Sequence, residues 1–233
     1  MKMIDKKINY IIRGILVFLI FWYSKFLQYI PIYIFKLDIK NMSNTTITVL
    51  STFSTLILFF IYFLIYRKEL KKDFKNFIKN KEEYTNIGFR YWMIGILVMM
   101  ITNFILNFVF KIGGANNEKT VQAMIKAFPV LMIIDAGILA PFNEEIVFRK
   151  TLKDIFDNKW IFIILSFLLF GGAHVISSTK VLTDYLYIIP YGALGAAFAY
   201  SYYKTNNIFT SIFMHTTHNL ILIMLSIFTS LMI

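Results

Sequence analysis

Residues 47–66 read ITVLSTFSTLILFFIYFLIY, and residues 67–80 continue as RKELKKDFKNFIKN. A helix needs about 20 mostly apolar residues to cross the hydrocarbon core. An abrupt change to Lys and Arg is what holds the end of such a helix at the cytoplasmic surface. Together the two segments set the fold class as all-α, a polytopic bundle of transmembrane helices.

Working outward, six further apolar runs fit the same reading: residues 10–30, 91–110, 121–142, 160–176, 185–203 and 208 to the C-terminus. The expectation is therefore seven spans. Arg13 and Lys25 lie near the ends of the first run, where long side chains reach back to the interface. Tyr91 and Trp92 open the third as interfacial anchors do. Because no small-residue cleavage site closes the first run, it reads as a retained span and not a signal peptide.

Charge placement orients the bundle. Residues 67–90 carry eight Lys or Arg, so this stretch is expected in the cytoplasm together with the N-terminus and its Lys2, Lys6 and Lys7. Arg149, Lys150, Lys153, Lys159 and Lys204 then fall on the same side. Leu70, Phe74, Phe77 and Ile78 have a helical spacing, which suggests a helix lying on the inner membrane face; an ordinary basic loop fits equally well.

Composition agrees. The chain is 58% hydrophobic and 18% aromatic, where soluble domains run at about 45–50% apolar. Its mean hydropathy is +0.65. The net charge of +11 sits beside apolar runs and accompanies no nucleic-acid-binding pattern, so anionic lipid and topology control account for it, not nucleic acid. With no cysteine, thiol catalysis, disulfides and thiolate-metal sites are excluded. Richness in Ile, Phe, Lys and Asn fits an AT-rich bacterial genome and a bacterial cytoplasmic membrane.

Ionisable residues within spans default to function. Three clusters stand out: Asn143-Glu144-Glu145-Ile-Val-Phe-Arg149 after Pro141, Phe170-Gly-Gly-Ala-His174, and His215-Thr-Thr-His218-Asn219. Glu145 and Arg149, four apart, share a helix face and can pair, whereas Glu144 points about 100° away. With the turn between two helices at Lys159, Glu144 and His174 each lie fifteen residues from it, roughly 22 Å along antiparallel helices. With the next turn at Asn206, His215 and Asn219 lie roughly 14 to 20 Å along their helix. The turns are expected to project beyond the hydrocarbon core, so all four groups can meet at one level in the cytoplasmic half of the bilayer. A carboxylate and an imidazole held there can bind a water and take its proton, and a second His with an Asn amide can donate to an oxyanion.

Glu144-Glu145-xxx-Arg149, Phe170-xxx-His174 and His215-xxx-Asn219 resemble, in order, the three motifs of the CAAX protease and bacteriocin-processing (Abi, type II CAAX prenyl endopeptidase-like) membrane family. The likeness covers residues 129–222. It implies an intramembrane endopeptidase in which Glu144 and His174 activate water and His215 and Asn219 stabilise the oxyanion, with roles in peptide maturation or bacteriocin immunity among bacterial relatives. Lys150 departs from the Gly that many relatives carry after the Arg. Residues 1–128 match no motif and form an N-terminal transmembrane region; residues 129–233 form the expected catalytic domain.

Simpler readings stand beside this one. Glu144 and Glu145 could be interfacial charges at a helix end, and Gly171 and Gly172 could serve only close helix packing. Asp135 reads as a partner for a Thr, Asn or Lys on a neighbouring helix. His218 lies off the motif positions. No cofactor is expected; zinc held by Glu144, His174, His215 and His218 is the alternative, against which stands the lack of a His-Glu-xx-His helix. A non-enzymatic immunity or scaffold protein that binds a bacteriocin or partner is the rival function.

Overall fold

The computed structural model describes residues 2–232, except for the side chains of residues 2–4, 6, 25 and 231. The snorkelling expected of Lys25, and the Lys2 and Lys6 side chains used for orientation, fall outside the described residues. The fold is all-helical, with no strand among the described residues. In chain order the helices are α1 (Lys2–Tyr23), α2 (Tyr29–Ile34), α3 (Asn44–Lys79), α4 (Lys81–Phe104), α5 (Asn116–Ala127), α6 (residues 129–155), α7 (Lys159–Val175), α8 (Ile188–Thr205) and α9 (Ile208–Met232).

Each of the seven apolar runs is mostly helical, but they are unequal. Among the described residues, three segments are long and apolar enough to cross a membrane alone: Asn44–Lys79, Lys81–Val109 and Ile208–Ser230. The first run is bent by 49° between Lys7–Tyr23 and Phe26–Ile34, and counts as a fourth span if the pair is taken as one. The apolar helix α7 has only 17 residues. The 121–142 run breaks at Phe128, where α5 stops and Pro129 opens α6, the position in which its missing N–H costs nothing. Large apolar side chains such as Phe60, Leu64, Leu97, Met100, Met224 and Phe228 point outward, which water would penalise and lipid does not.

The basic segment is neither a loop nor a separate surface helix. At 36 residues α3 is about 54 Å long, well beyond the roughly 30 Å hydrocarbon core, so its Lys-rich turns are the straight continuation of the span. A turn at Asn80 reverses the chain into α4. Leu70 and Phe77 face the bundle, and Phe74 meets Phe209 edge-on at 5.2 Å. That is the origin of the helical spacing in the sequence.

The two halves of the chain share one core. Val17, Leu58, Tyr62 and Tyr66 pack with Phe142, Ile146, Phe148, Phe162, Phe170 and Tyr202. Tyr66 Oη shares a hydrogen bond with Thr151 Oγ1 at 2.8 Å. Asp135 accepts from Thr52 Oγ1 at 3.1 Å, the interhelical pairing expected of it. Asp184, in the turn Leu182–Tyr187, accepts from the amides of Lys180 and Val181. These bonds hold its carboxyl below the usual carboxylate range.

Glycines set how closely the helices around the site approach. A Cβ on Gly171 would stand 2.6 Å from the carbonyl oxygen of Ile188, backbone against backbone, and one on Gly95 would stand 2.7 Å from Ala197 Cβ. Gly172 faces only Ile176 just past the end of its own helix, so the packing role belongs to Gly171 alone of the pair. Gly171→Ala is expected to push α7 off α8 and destabilise the protein by about 1–3 kcal/mol, read as a lower Tm in detergent; Gly172→Ala is expected to leave Tm close to wild type.

Candidate active site

The site is built on an irregular helix. α6 is α-helical over Pro129–Ile134, π-helical over Asp135–Leu139, α-helical over Ala140–Glu145, π-helical over Ile146–Thr151 and α-helical again over Leu152–Ile155. Pro141 explains the first π-turn. It has no N–H to give to a carbonyl one turn back, and in π-register that carbonyl belongs to Ala136. Asn219 supplies the missing donor: its Nδ2 bonds to Ala136 O at 2.8 Å. The widened turns on either side place Glu144 and Glu145 on the inner face, where π-bulges commonly carry function.

Glu144, His174 and His215 converge as the depth reading anticipated. Glu144 Oε2 lies 3.8 Å from His174 Nε2 and 3.7 Å from His215 Nε2. These separations exceed a direct hydrogen bond but suit a water beside the line between the groups. The tautomers follow from the partners. His174 Nδ1 lies 2.9 Å from Phe170 O, an acceptor only, so Nδ1 carries the proton and the Nε2 lone pair faces Glu144. Likewise His215 Nδ1 donates to Glu145 Oε1 at 2.8 Å. Its Nε2 becomes a donor only when the ring holds a second proton.

Beneath them lies a sealed ion cluster. Glu145 and Arg149 are both fully buried, with Arg149 Nη1 3.1 Å from Glu145 Oε1 in the predicted pairing, though outside hydrogen-bond angles. Arg149 Nη2 donates to Gly195 O at 3.3 Å. The guanidinium lies 4.2 Å from the Phe170 ring centroid and 5.5 Å from that of Phe198, so aromatic faces supply stabilisation that water does not.

Sequence reasoning missed three features of this shell: the Glu145–His215 bond, Phe198 stacked on His215 at 4.8 Å, and Tyr191 stacked on His174 at 4.8 Å. Phe170 carried a signal in its place four residues before His174. Phe198 and Tyr191 carried none, being two aromatics among many.

The remaining candidates fall nearby. Asn219 lines the same cavity as the two histidines, with one amide proton committed to Ala136. His218 also lines it, edge-on to Trp92 at 6.3 Å. Lys150 turns away to pair with Asp154 at 2.6 Å and touches none of the three groups. No group of three or more His, Asp or Glu with the geometry of a metal site is found among the described residues. The cavity measures about 590 Å³, within the range of pockets that hold small ligands or peptide segments.

Fold and site together define a class: helical membrane proteins with a carboxylate and two imidazoles facing one cavity. Residues 126–221 match the family described as type II CAAX prenyl endopeptidase, Rce1-like, and all three motifs lie inside that stretch. The likeness read from the motifs thus holds over the segment that carries them. YdiL of Bacillus subtilis, named provisionally as a membrane peptidase, is 30% identical over 140 residues, which cover 58% of this chain and 54% of YdiL. The UPF0177 protein YxdF of Lactococcus lactis is 24% identical over 172 residues, 71% of this chain and 89% of YxdF. The match to YdiL therefore spans about half of that relative's length. No solved structure matches the chain.

Proposed function

We propose that this chain is an intramembrane endopeptidase that hydrolyses a peptide bond in a membrane-associated or hydrophobic peptide, with residues 129–233 as its catalytic part and a bacterial cytoplasmic membrane as its setting. The observation that carries the reading is Glu144 Oε2 standing 3.7–3.8 Å from two imidazole nitrogens at the wall of one cavity. Water held between Glu144 and His174 Nε2 attacks the carbonyl carbon and gives a proton to Glu144. The oxyanion takes hydrogen bonds from Asn219 Nδ2 and from the doubly protonated form of His215, whose Nδ1–H stays on Glu145. Glu144 then returns its proton to the leaving nitrogen, which breaks the C–N bond. Glu145 and Arg149 position His215 and do not meet the substrate.

No step needs a metal. Chelators such as EDTA or 1,10-phenanthroline are expected to leave cleavage by the purified protein unchanged; loss restored by added zinc would put Glu144, His174 and His215 in the role of ligands instead. The rival reading, a non-enzymatic immunity or scaffold protein, draws on the same family likeness. Comparing the peptidome and membrane proteome of cells that express wild type or Glu144→Gln separates the two. A peptide or shortened protein found only with wild type supports the peptidase and names its substrate.

A further inference from the structure

The cavity has a closed end and an open end. Below the ion cluster Tyr66, Thr151 and Leu152 are buried and seal it on the side of the Asn80 turn. None of the residues that line the cavity comes from residues 67–90, from the turn between α6 and α7, or from the turn at Asn206. At the other end its wall includes Asn103 and Asn107 at the end of the α4 segment, exposed Gly114 and Glu118, and Asn117. Asn107 Oδ1 accepts from Gly114 N and from Tyr187 Oη, which ties the rim together.

Depth agrees with this polarity. α7 ends at Val175, one residue past His174, and the chain then turns through exposed Ile176 and Ser177. His174 therefore sits at the end of its helix far from the Lys159 turn. Charge gives the two ends different addresses: residues 67–90 hold eight Lys or Arg, whereas residues 103–119 and 176–187 at the mouth end hold three, Lys111, Lys119 and Lys180, beside the acidic Glu118 and Asp184.

We propose that the cavity is entered from the membrane face opposite the basic helical hairpin, so that substrate reaches Glu144 as an extended polypeptide segment from the extracytoplasmic side. This departs from the cytoplasmic-half placement expected from residue counting, which took the turns to project beyond the hydrocarbon. The side-chain amides of Asn103, Asn107 and Asn117 suit a peptide main chain, since each offers both a donor and an acceptor, and Leu194, Leu222 and Ile223 supply apolar wall for its side chains. The inference rests on the peptidase reading only for what enters the cavity; the face on which the mouth opens is independent of it.

The absence of cysteine from the sequence makes the test clean. Asn117→Cys at the mouth and Glu83→Cys on the hairpin are expressed separately in bacterial cells whose outer envelope has been made permeable while the inner membrane stays intact, and treated with a membrane-impermeant maleimide. Leu182→Cys, on the exposed loop at the mouth end, reports the same face should Asn117→Cys fail to accumulate. The thiols introduced at positions 117 and 182 are expected to label in intact membranes, and the thiol at position 83 only after lysis. Labelling of position 83 from outside, or of positions 117 and 182 only after lysis, overturns the proposal. Either outcome is read without any cleavage assay, so it stands apart from the Glu144→Gln comparison that decides the peptidase reading.

Discussion

Replacing Glu144 with Gln is expected to lower cleavage by about 10²–10⁴-fold, the range over which a positioned general base acts, and to leave the fold intact. Two features separate the effects. The carboxylate stands 3.7 Å or more from both imidazoles, so no direct hydrogen bond to them is lost when it becomes an amide of the same shape. The buried Arg149 meanwhile keeps its own partner in Glu145. An amide has no proton-accepting oxygen of comparable basicity, so the water stays in place but is not activated. The measurement pairs a cleavage assay on the substrate found by peptidome comparison with Tm in detergent. Normal Tm with lost cleavage is the expected result. Full activity in the variant removes Glu144 as base, and with it the peptidase reading of this site; an immunity phenotype that survives the substitution then points to a binding protein.

How far the sequence carried this site follows from which geometry is local. Helical rise and two turns, at Lys159 and Asn206, sufficed to bring Glu144, His174 and His215 to one level, because an α-helix converts residue count into distance. The i, i+4 rule likewise found the Glu145–Arg149 pair. What escaped depends on departures from regular helix or on contacts between distant helices. The two π-turns of α6 change the register, and only Pro141 hinted at the first of them. Asn219 looked like a free donor because nothing in its own helix shows that Ala136 has lost a partner. The basic segment looked like a surface helix or a loop because its apolar residues were counted without Phe209, the ring they pack against. Length also separates runs that composition treats alike: α7 is strongly apolar, yet its 17 residues make about 26 Å, at the lower end of what a spanning helix needs.

The second large effect is expected at the sealed ion cluster, where stability and chemistry can be pulled apart. Arg149→Met leaves Glu145 fully buried with only His215 to meet it, and Glu145→Gln leaves the guanidinium buried without its anion. Removing one partner of a buried pair typically costs about 3–5 kcal/mol, so each single variant is expected to unfold at markedly lower temperature and to accumulate poorly. The double variant Glu145→Gln/Arg149→Met carries no uncompensated charge, and its methionine can still fill the space between Phe170 and Phe198. Tm is therefore expected to recover by more than half of the larger single loss. Cleavage is not expected to recover with it, because His215 loses the carboxylate that accepts from its Nδ1–H and fixes the tautomer and orientation of the ring. A double variant with restored Tm and restored cleavage would reduce Glu145 to a structural counter-ion for Arg149. Restored Tm with lost turnover and little change in KM assigns Glu145 the positioning of His215, an effect that a purely structural pair would not produce.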